Sequence, residues 1–575
     1  MSTYNLYPKI DIKGYDDKIF LGYENILNEI KSKIDKDNFI VVLDCYVGVD
    51  SSELLNSFKN IDFDNIIFSD DYALKEERLT EKMQDYLTDD RVFGIMNTKK
   101  LKEFFIDEKL QKVKNKISTL KGKTLIYGVG ASLITTGDLY IYADISRWEI
   151  QLRYRSGITN WNVSNANAPI LEKYKRGFFM EWRIADRHKI ENYKNFDYVL
   201  DTNKKDKPKM VTAEAFFNGL LQASQKPFRL VPYFDSGVWG GQWLKEVCGL
   251  DRNRENFAWG FDGVPEENSI LLNYGNIAFE TPAINLVFCQ PENLLGERVY
   301  ARFGKEFPIR FDFLDTMEGG NLSLQVHPLT EYIQETFGMH YTQDESYYIL
   351  DAKEDSVVYL GVKEGIDREQ MILDLKEAQN TGKSFDVEKY VNKIKAKKHD
   401  HFLIPAGTIH CSGKNTVVLE ISATPYIFTF KLWDWGRVGS DGLPRPIHIE
   451  HGEKVINFDA DIKWVKEKLV NHINPIEENE KYKEESTGLS NRHSIETRRH
   501  IFKDEVIHET FGSVNVLNLV EGEEVTVESL NGEFEPFVVH YAETFIIPAC
   551  VEKYKIKTSG KSKGKQVATI KAYIR

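Results

Sequence analysis

Four residues of this 575-residue chain have the types and spacing to hold a divalent cation: Gln325, His327, Glu345 and His410. The first two lie in Asn321-Leu322-Ser323-Leu324-Gln325-Val326-His327-Pro328. Glu345 follows Gln343-Asp344, and His410 ends Ile404-Pro405-Ala406-Gly407-Thr408-Ile409-His410. Side chains in a strand alternate between its faces, so Ser323, Gln325 and His327 share one side and Leu322, Leu324 and Val326 the other. Facing water, the polar row would do nothing. Facing the inside of a barrel, it puts an amide oxygen and an imidazole in a dry place. Imidazole, carboxylate and amide oxygen suit Zn²⁺ and other borderline divalent ions, and a site without thiolate but with room for water is of the catalytic type. Taken singly, each residue has a plainer reading, as a core histidine, a solvated strand face or a turn residue. The order strand, strand, turn is what joins them.

The elements that must position these residues are β-rich. From Asn285 to Glu420, short alternating runs come at spacings typical of an all-β barrel or sandwich. A helical insertion (363–398) interrupts them, with one helix in Asp367–Lys376 and a second from Val387 to Lys395. Residues 475–500 are charged and poor in apolar side chains, the composition of a linker or surface loop. Another set of strands then runs from Phe511 to Ile574. Phe402-Leu403-Ile404-Pro405-Ala406 is echoed by Phe545-Ile546-Ile547-Pro548-Ala549, which suggests two barrels, only the first with a histidine soon after the repeat. His448 and His451 are three apart, as in a helical metal pair, but Pro446 and the surrounding pattern favour a surface loop.

The first two-fifths read differently. Phe39–Asp44, Lys123–Gly130 and Asp138–Asp144 are strand-like runs separated by helical patterns, the alternation of a parallel sheet with crossover helices. The turn Asp44-Cys45-Tyr46-Val47-Gly48-Val49-Asp50-Ser51-Ser52 sits where a phosphate-binding loop would sit. Such a loop needs G-x-x-x-x-G-K-[ST]; here Leu43 takes the first glycine position, Val49 stands in the lysine position, and Asp44 and Asp50 would repel a phosphate. With Asp70-Asp71-Tyr72 and Asp144-Ile145-Ser146-Arg147-Trp148 further on, the region resembles a uridine-kinase-type P-loop domain that has lost its nucleotide chemistry.

Composition narrows the function. The net charge of -13, with both signs interleaved, argues against a nucleic-acid or anionic-membrane partner. Five dispersed cysteines without a C-x-x-C pair suggest neither a disulfide framework nor a thiolate zinc site. The N-terminus lacks a signal-like apolar core, and no run approaches the roughly 20 apolar residues of a membrane span. A cytoplasmic protein acting on a small molecule is expected.

Residues from about 228 to 575 resemble class I mannose-6-phosphate isomerase, a double-cupin (jelly-roll) family. The matching stretches are Val238-Trp239-Gly240-Gly241, Leu322–Pro328, Glu345-Ser346-Tyr347-Tyr348-Ile349-Leu350, Phe402–His410, Leu419-Glu420-Ile421-Ser422 and Leu432-Trp433-Asp434-Trp435-Gly436-Arg437. The resemblance implies one zinc ion held by Gln325, His327, Glu345 and His410, and aldose–ketose interconversion of mannose 6-phosphate and fructose 6-phosphate or a near relative. For the proton transfer Glu420 is the candidate base and Lys431 the candidate electrostatic partner of enediolate or phosphate, the plainer reading being a Glu420–Lys431 ion pair inside the barrel; Ser323 and Arg437 are the candidate substrate-binding residues, and Arg445 and Lys305 could also reach a phosphate. The family pattern is broken at Leu329 (usually Asp), Gln343 (commonly Lys) and Lys431 (usually Arg). The competing expectation is a non-catalytic sugar-phosphate-binding regulatory protein with an inactive kinase-like domain. The chain thus divides into an α/β three-layer P-loop-like domain (1–210), a metal-binding cupin domain (228–475) and a structural cupin domain (500–575).

Overall fold

A computed structural model describes residues 2–439, 444–488 and 493–575. Phe39–Cys45 is the central strand of the N-terminal sheet. It is buried along nearly its whole length because parallel partners flank it on both sides, Lys123–Gly128 and Leu139–Asp144. Five parallel strands run in the order Asn65–Phe68, Lys123–Gly128, Phe39–Cys45, Leu139–Asp144, Tyr198–Asp201. Lys209–Thr212 and Ile19–Leu21 extend that sheet antiparallel.

Gly48, at φ +90°, turns the chain from the central strand toward the helix Ser51–Phe58. The positive end of that helix is taken up internally, since the Asp50 carboxylate accepts the N–H groups of Ser52 and Glu53 at 3.1 Å each. Asp44 points away from the turn. It is fully buried and accepts from Gly130 N (2.9 Å), Ser132 N (3.2 Å) and Tyr140 OH (2.9 Å), with the His188 ring at 2.9 Å.

The middle of the chain forms an antiparallel barrel of two sheets. One has six strands in the order His401–Ile404, Glu345–Ala352, Thr416–Ser422, Arg310–Asp315, Trp259–Gly263, Tyr233–Asp235. The other has five, Val391–Lys395, Val357–Val362, His410–Ser412, Leu324–Val326, Phe430–Trp433. The helix of the insertion is Arg368–Thr381, capped by Asp367. The second helix expected there is one turn only, Val387–Tyr390; Val391–Lys395 is a strand, paired with Val357–Val362.

A second barrel closes the chain, with sheets of six and four strands. Its first sheet includes Asn474–Glu478, Tyr482–Ser486 and Ile495–Phe502, so most of the expected linker is strand; residues 489–492 of it lie outside the described residues. The charges belong to cross-strand pairs such as Arg499–Glu485 at 2.7 Å and Arg498–Glu484 at 2.7 Å. Lys9–Ile12, at the other end of the chain, pairs in parallel with Leu271–Tyr274.

Among the described residues no helix is long and apolar enough to cross a membrane. All five cysteines are free.

Candidate metal centre

The polar row of the Leu324–Val326 strand faces the barrel interior. Gln325 pairs across the ladder with His410, and its amide Nε2 lies 3.2 Å from His410 Nε2. His327, just past the strand, is 3.2 Å from Glu345 Oε2 through Nε2. His410 Nε2 is 2.8 Å from Glu345 Oε1. One ligand atom from each of His327, Glu345 and His410 lies within 4.8 Å of the others, and all three side chains are buried. Gly407 makes the turn before His410: at φ +86° its N–H reaches His327 O at 2.9 Å, and a Cβ there would meet Val455 O at 2.9 Å.

The tautomers decide what this cluster can hold. His327 Nδ1 donates to Phe428 O (2.8 Å) and His410 Nδ1 to Thr408 O (2.9 Å). Both Nε2 atoms therefore turn their lone pairs toward the two oxygens of one carboxylate. Lone pairs facing a carboxylate in a buried site repel unless a proton or a cation lies between them. Burial alone would raise the Glu345 carboxyl, but the two rings override it and hold it well below the usual range; burial pulls His327 down, and Glu345 pulls it above its ordinary value. Turning the Gln325 amide over exchanges its N for O and completes an N₂O₂ donor set. These residues fit a divalent ion of the zinc type.

Around this set lies a buried polar frame. Gln343 Nε2 donates to Glu345 Oε2 and Glu420 Oε1 at 2.9 Å each, and its Oε1 accepts Phe428 N–H at 2.9 Å. Glu420 Oε1 also accepts from Ser422 Oγ (2.9 Å) and Arg310 Nη1 (3.3 Å). Glu420 therefore pairs with Arg310, not with Lys431. Burial, then the neighbouring Asp312 and Glu345, push the Glu420 carboxyl well up, and Asp312 is pushed to about 7.

Further along the same polar row, cations gather round one acid. Lys431 stands opposite Gln325. Asp434 accepts from Ser323 Oγ (2.9 Å) and pairs with Arg437 (2.6 Å) and Arg445 (2.8 Å). Lys431 makes no ion pair among the described residues, and burial, then the like charge of Arg445, bring its ammonium down to about 7. Two guanidinium groups against one carboxylate leave a net positive cluster. Ser323 is two residues before Gln325, so the cluster begins about 7 Å along the strand from the ligand set.

All four residues expected as ligands are thus brought together, and Ser323, Arg437 and Arg445 meet at Asp434 beside them, with Lys431 close enough to feel their charges. Gln343 gains a role that no local pattern signalled. Lys305 lies elsewhere, near Cys289. His448 and His451 sit at the start of the helix Ile449–Val455 and not in a surface loop. Each is engaged separately: His448 Nε2 lies 3.7 Å from Asp90, and His451 Nδ1 bonds Tyr332 OH at 2.7 Å.

Comparison with known proteins finds mannose-6-phosphate isomerases among the similar chains. The probable mannose-6-phosphate isomerase GmuF of Bacillus subtilis (strain 168) is 29% identical over 234 residues, 40% of this chain and 69% of the relative. The mannose-6-phosphate isomerase ManA of the same organism is 24% identical over 236 residues (41% and 69%). The mannose-6-phosphate isomerase of Streptococcus mutans is 26% identical over 237 residues (40% and 68%). The chain spans about two-thirds of the length of these relatives. A solved structure of the mannose 6-phosphate isomerase from Bacillus subtilis superposes with a TM-score of 0.49 at 19% identity, over 61% of this chain and 100% of that one. Residues 22–225 match a family described as a domain of unknown function (DUF8485).

Proposed function

We propose that the protein is a metal-dependent aldose–ketose isomerase of sugar phosphates, interconverting mannose 6-phosphate and fructose 6-phosphate or a close relative. The observation that carries this reading is the convergence of Gln325, His327, Glu345 and His410 beside a cluster in which Arg437 and Arg445 share the single carboxylate of Asp434. The similarity to mannose-6-phosphate isomerases supports isomerase activity. A zinc ion held by the four ligands would supply Lewis acidity for the oxyanion of an enediolate.

The chain's own groups divide the remaining work. The planar guanidinium groups of Arg437 and Arg445 suit a phosphate, with Ser323 as a hydroxyl donor beside them. Glu420, expected as the base, has its carboxyl pushed well up by burial and by the neighbouring Asp312 and Glu345. Lys431, brought down to about 7 by burial and by Arg445, is a second group that can take the C2 proton and return it to C1. The frame of Gln343, Ser422 and Arg310 holds Glu420 in one orientation.

The N-terminal layer we read as a P-loop-like scaffold without nucleotide chemistry. That reading is supported by the strand order and by Asp50, which fills the helix end where a phosphate would bind. We divide the chain into an N-terminal domain (1–210), a metal-binding barrel (228–475) and a last barrel (500–575) to whose first sheet the strands from Asn474 onward add.

The test is zinc content together with an isomerase assay over a panel of hexose and pentose 6-phosphates, for wild type and His410→Ala. Turnover in wild type, with metal and activity both lost in the variant, is expected. Activity persisting in metal-free His410→Ala protein overturns the site. The second reading, a regulatory sugar-phosphate binder, draws on Gln343, whose uncharged amide is fully spent within the protein; tight binding without turnover selects it.

A further inference from the structure

The segment that aligns the metal ligand His327 is gripped from outside the barrel by the N-terminal domain. Phe428 connects the two: its carbonyl accepts His327 Nδ1–H at 2.8 Å, and its N–H is held by Gln343 Oε1 at 2.9 Å. On its other side the ring of Phe428 stacks on Phe93, with centroids 4.6 Å apart and planes 29° off parallel. Phe93 comes from the N-terminal domain, is 6% exposed, and also meets Phe430 edge-on at 5.4 Å and Phe337 at 5.6 Å.

The loop that presents Phe93 is fixed at both ends. Asp90 Oδ1 accepts the N–H groups of Val92 (2.6 Å) and Phe93 (2.7 Å), and Met96 N donates to Phe337 O at 2.9 Å. A second contact lies two residues before Phe428. Arg183, on the helix Trp182–Asn192, donates to Tyr426 OH at 3.2 Å, and Phe178 packs edge-on to the same ring at 5.5 Å. Tyr426, Phe428 and Phe430 thus offer alternate side chains to the N-terminal domain, while the peptide groups of Phe428 hold His327 and Gln343.

We propose that the N-terminal domain positions the metal centre, with Phe93 as the positioning residue that sets the orientation of His327 through the Phe428 peptide. This rests on the metal-site reading above. Groups that orient a metal-bound histidine through its second nitrogen typically alter affinity by about 10–100-fold when removed. Phe93 acts one contact further out, so the lower end of that range is expected.

The experiment measures zinc affinity of the full chain by competition with a chromogenic chelator, and the visible ligand-field spectrum of the cobalt(II)-loaded protein. The variants are Phe93→Ala, Phe93→Leu and, as control, Phe58→Ala, which opens a cavity in the N-terminal core away from the barrel. The expected result is zinc affinity about tenfold weaker in Phe93→Ala, a smaller loss in Phe93→Leu, and a cobalt spectrum altered in both but unchanged in Phe58→Ala. If Phe93→Ala does not fold, Phe93→Leu decides. Wild-type affinity and spectrum in every folded Phe93 variant overturn the proposal, as does an equal loss in Phe58→Ala. A wild type that binds neither ion defeats the metal reading and this inference together, whereas normal wild-type binding with indifferent Phe93 variants defeats this inference alone.

Discussion

Replacing Gln343 by Met is the sharpest test of the polar frame, because it keeps the volume of the side chain and removes all of its polar atoms. The wild-type amide is 1% exposed, donates to two carboxylates and accepts one backbone N–H. A hydrogen bond to a charged group is worth about 1.5–3 kcal/mol, and a buried N–H left without a partner costs about 1–3 kcal/mol. These terms overlap, since Glu420 keeps Ser422 and Arg310, so a loss of stability on the order of 3 kcal/mol is expected. The effect on the metal is separate. Without Gln343, Glu345 loses the donor that orients its Oε2, and the Phe428 peptide that aligns His327 loses its anchor. Zinc affinity should fall about 10–100-fold, or about 1.4–2.7 kcal/mol. Urea unfolding of the metal-free protein reads the first quantity, and chelator competition reads the second. A Gln343→Met protein with an unchanged unfolding midpoint and zinc affinity within twofold of wild type would falsify the claim that this amide organises the site.

Two further outcomes follow from buried cations. Lys431→Met should raise KM for a sugar phosphate and lower kcat by at least about 100-fold, as loss of a general base typically does. Lys431→Arg should restore KM but not kcat, because a guanidinium cannot give up a proton; recovery of kcat by Arg removes Lys431 as proton acceptor. In the last barrel, Lys571 is 1% exposed, and burial brings its ammonium down to about 7. Between about pH 7 and the unfolded value near 10.4 the unfolded chain binds the extra proton, so this residue makes stability rise with pH across that window and imposes its full cost below it. Lys571→Met should therefore raise Tm at pH 6–7 and flatten the alkaline rise; a variant less stable than wild type at pH 6 contradicts the argument.

The ligand set was legible because each ligand sits in a contiguous string with a period of two or a tight turn, and those strings fix side-chain direction locally. What failed to show was contact between distant segments. Arg445 has no motif of its own, and it reaches Asp434 only because the chain folds back after the Phe430–Trp433 strand. Residues 475–500 looked like a linker because charged side chains dominate their strands. Asn474–Glu478 is exposed at every position, and the next strands spend their charges on cross-strand pairs, while the buried side of Ile495–Phe502 starts with Ile495, Thr497 and His500, too few apolar residues to show in composition. Val387, Tyr390, Val391 and Ile394 have helical spacing, yet pairing with Val357–Val362 takes Val391 and Ile394 into a sheet. In each case a tertiary partner overrode a local preference.

The same distinction bears on why the first 225 residues stay joined to the barrel. A tethered module would meet its neighbour through a small, polar surface. Here Arg147 pairs with both Asp186 and Glu266, and Arg183 reaches Glu266 at 2.7 Å, all within 10% exposure. Buried ion pairs return little net stability after desolvation, but parting the domains would leave Glu266 to be rehydrated alone and would bare Phe337, Phe428 and Phe430 to water. The ionic contacts penalise misaligned docking and the aromatic ones supply the attraction, and together they hold one relative placement. That placement sets Phe93 against the peptide that aligns His327.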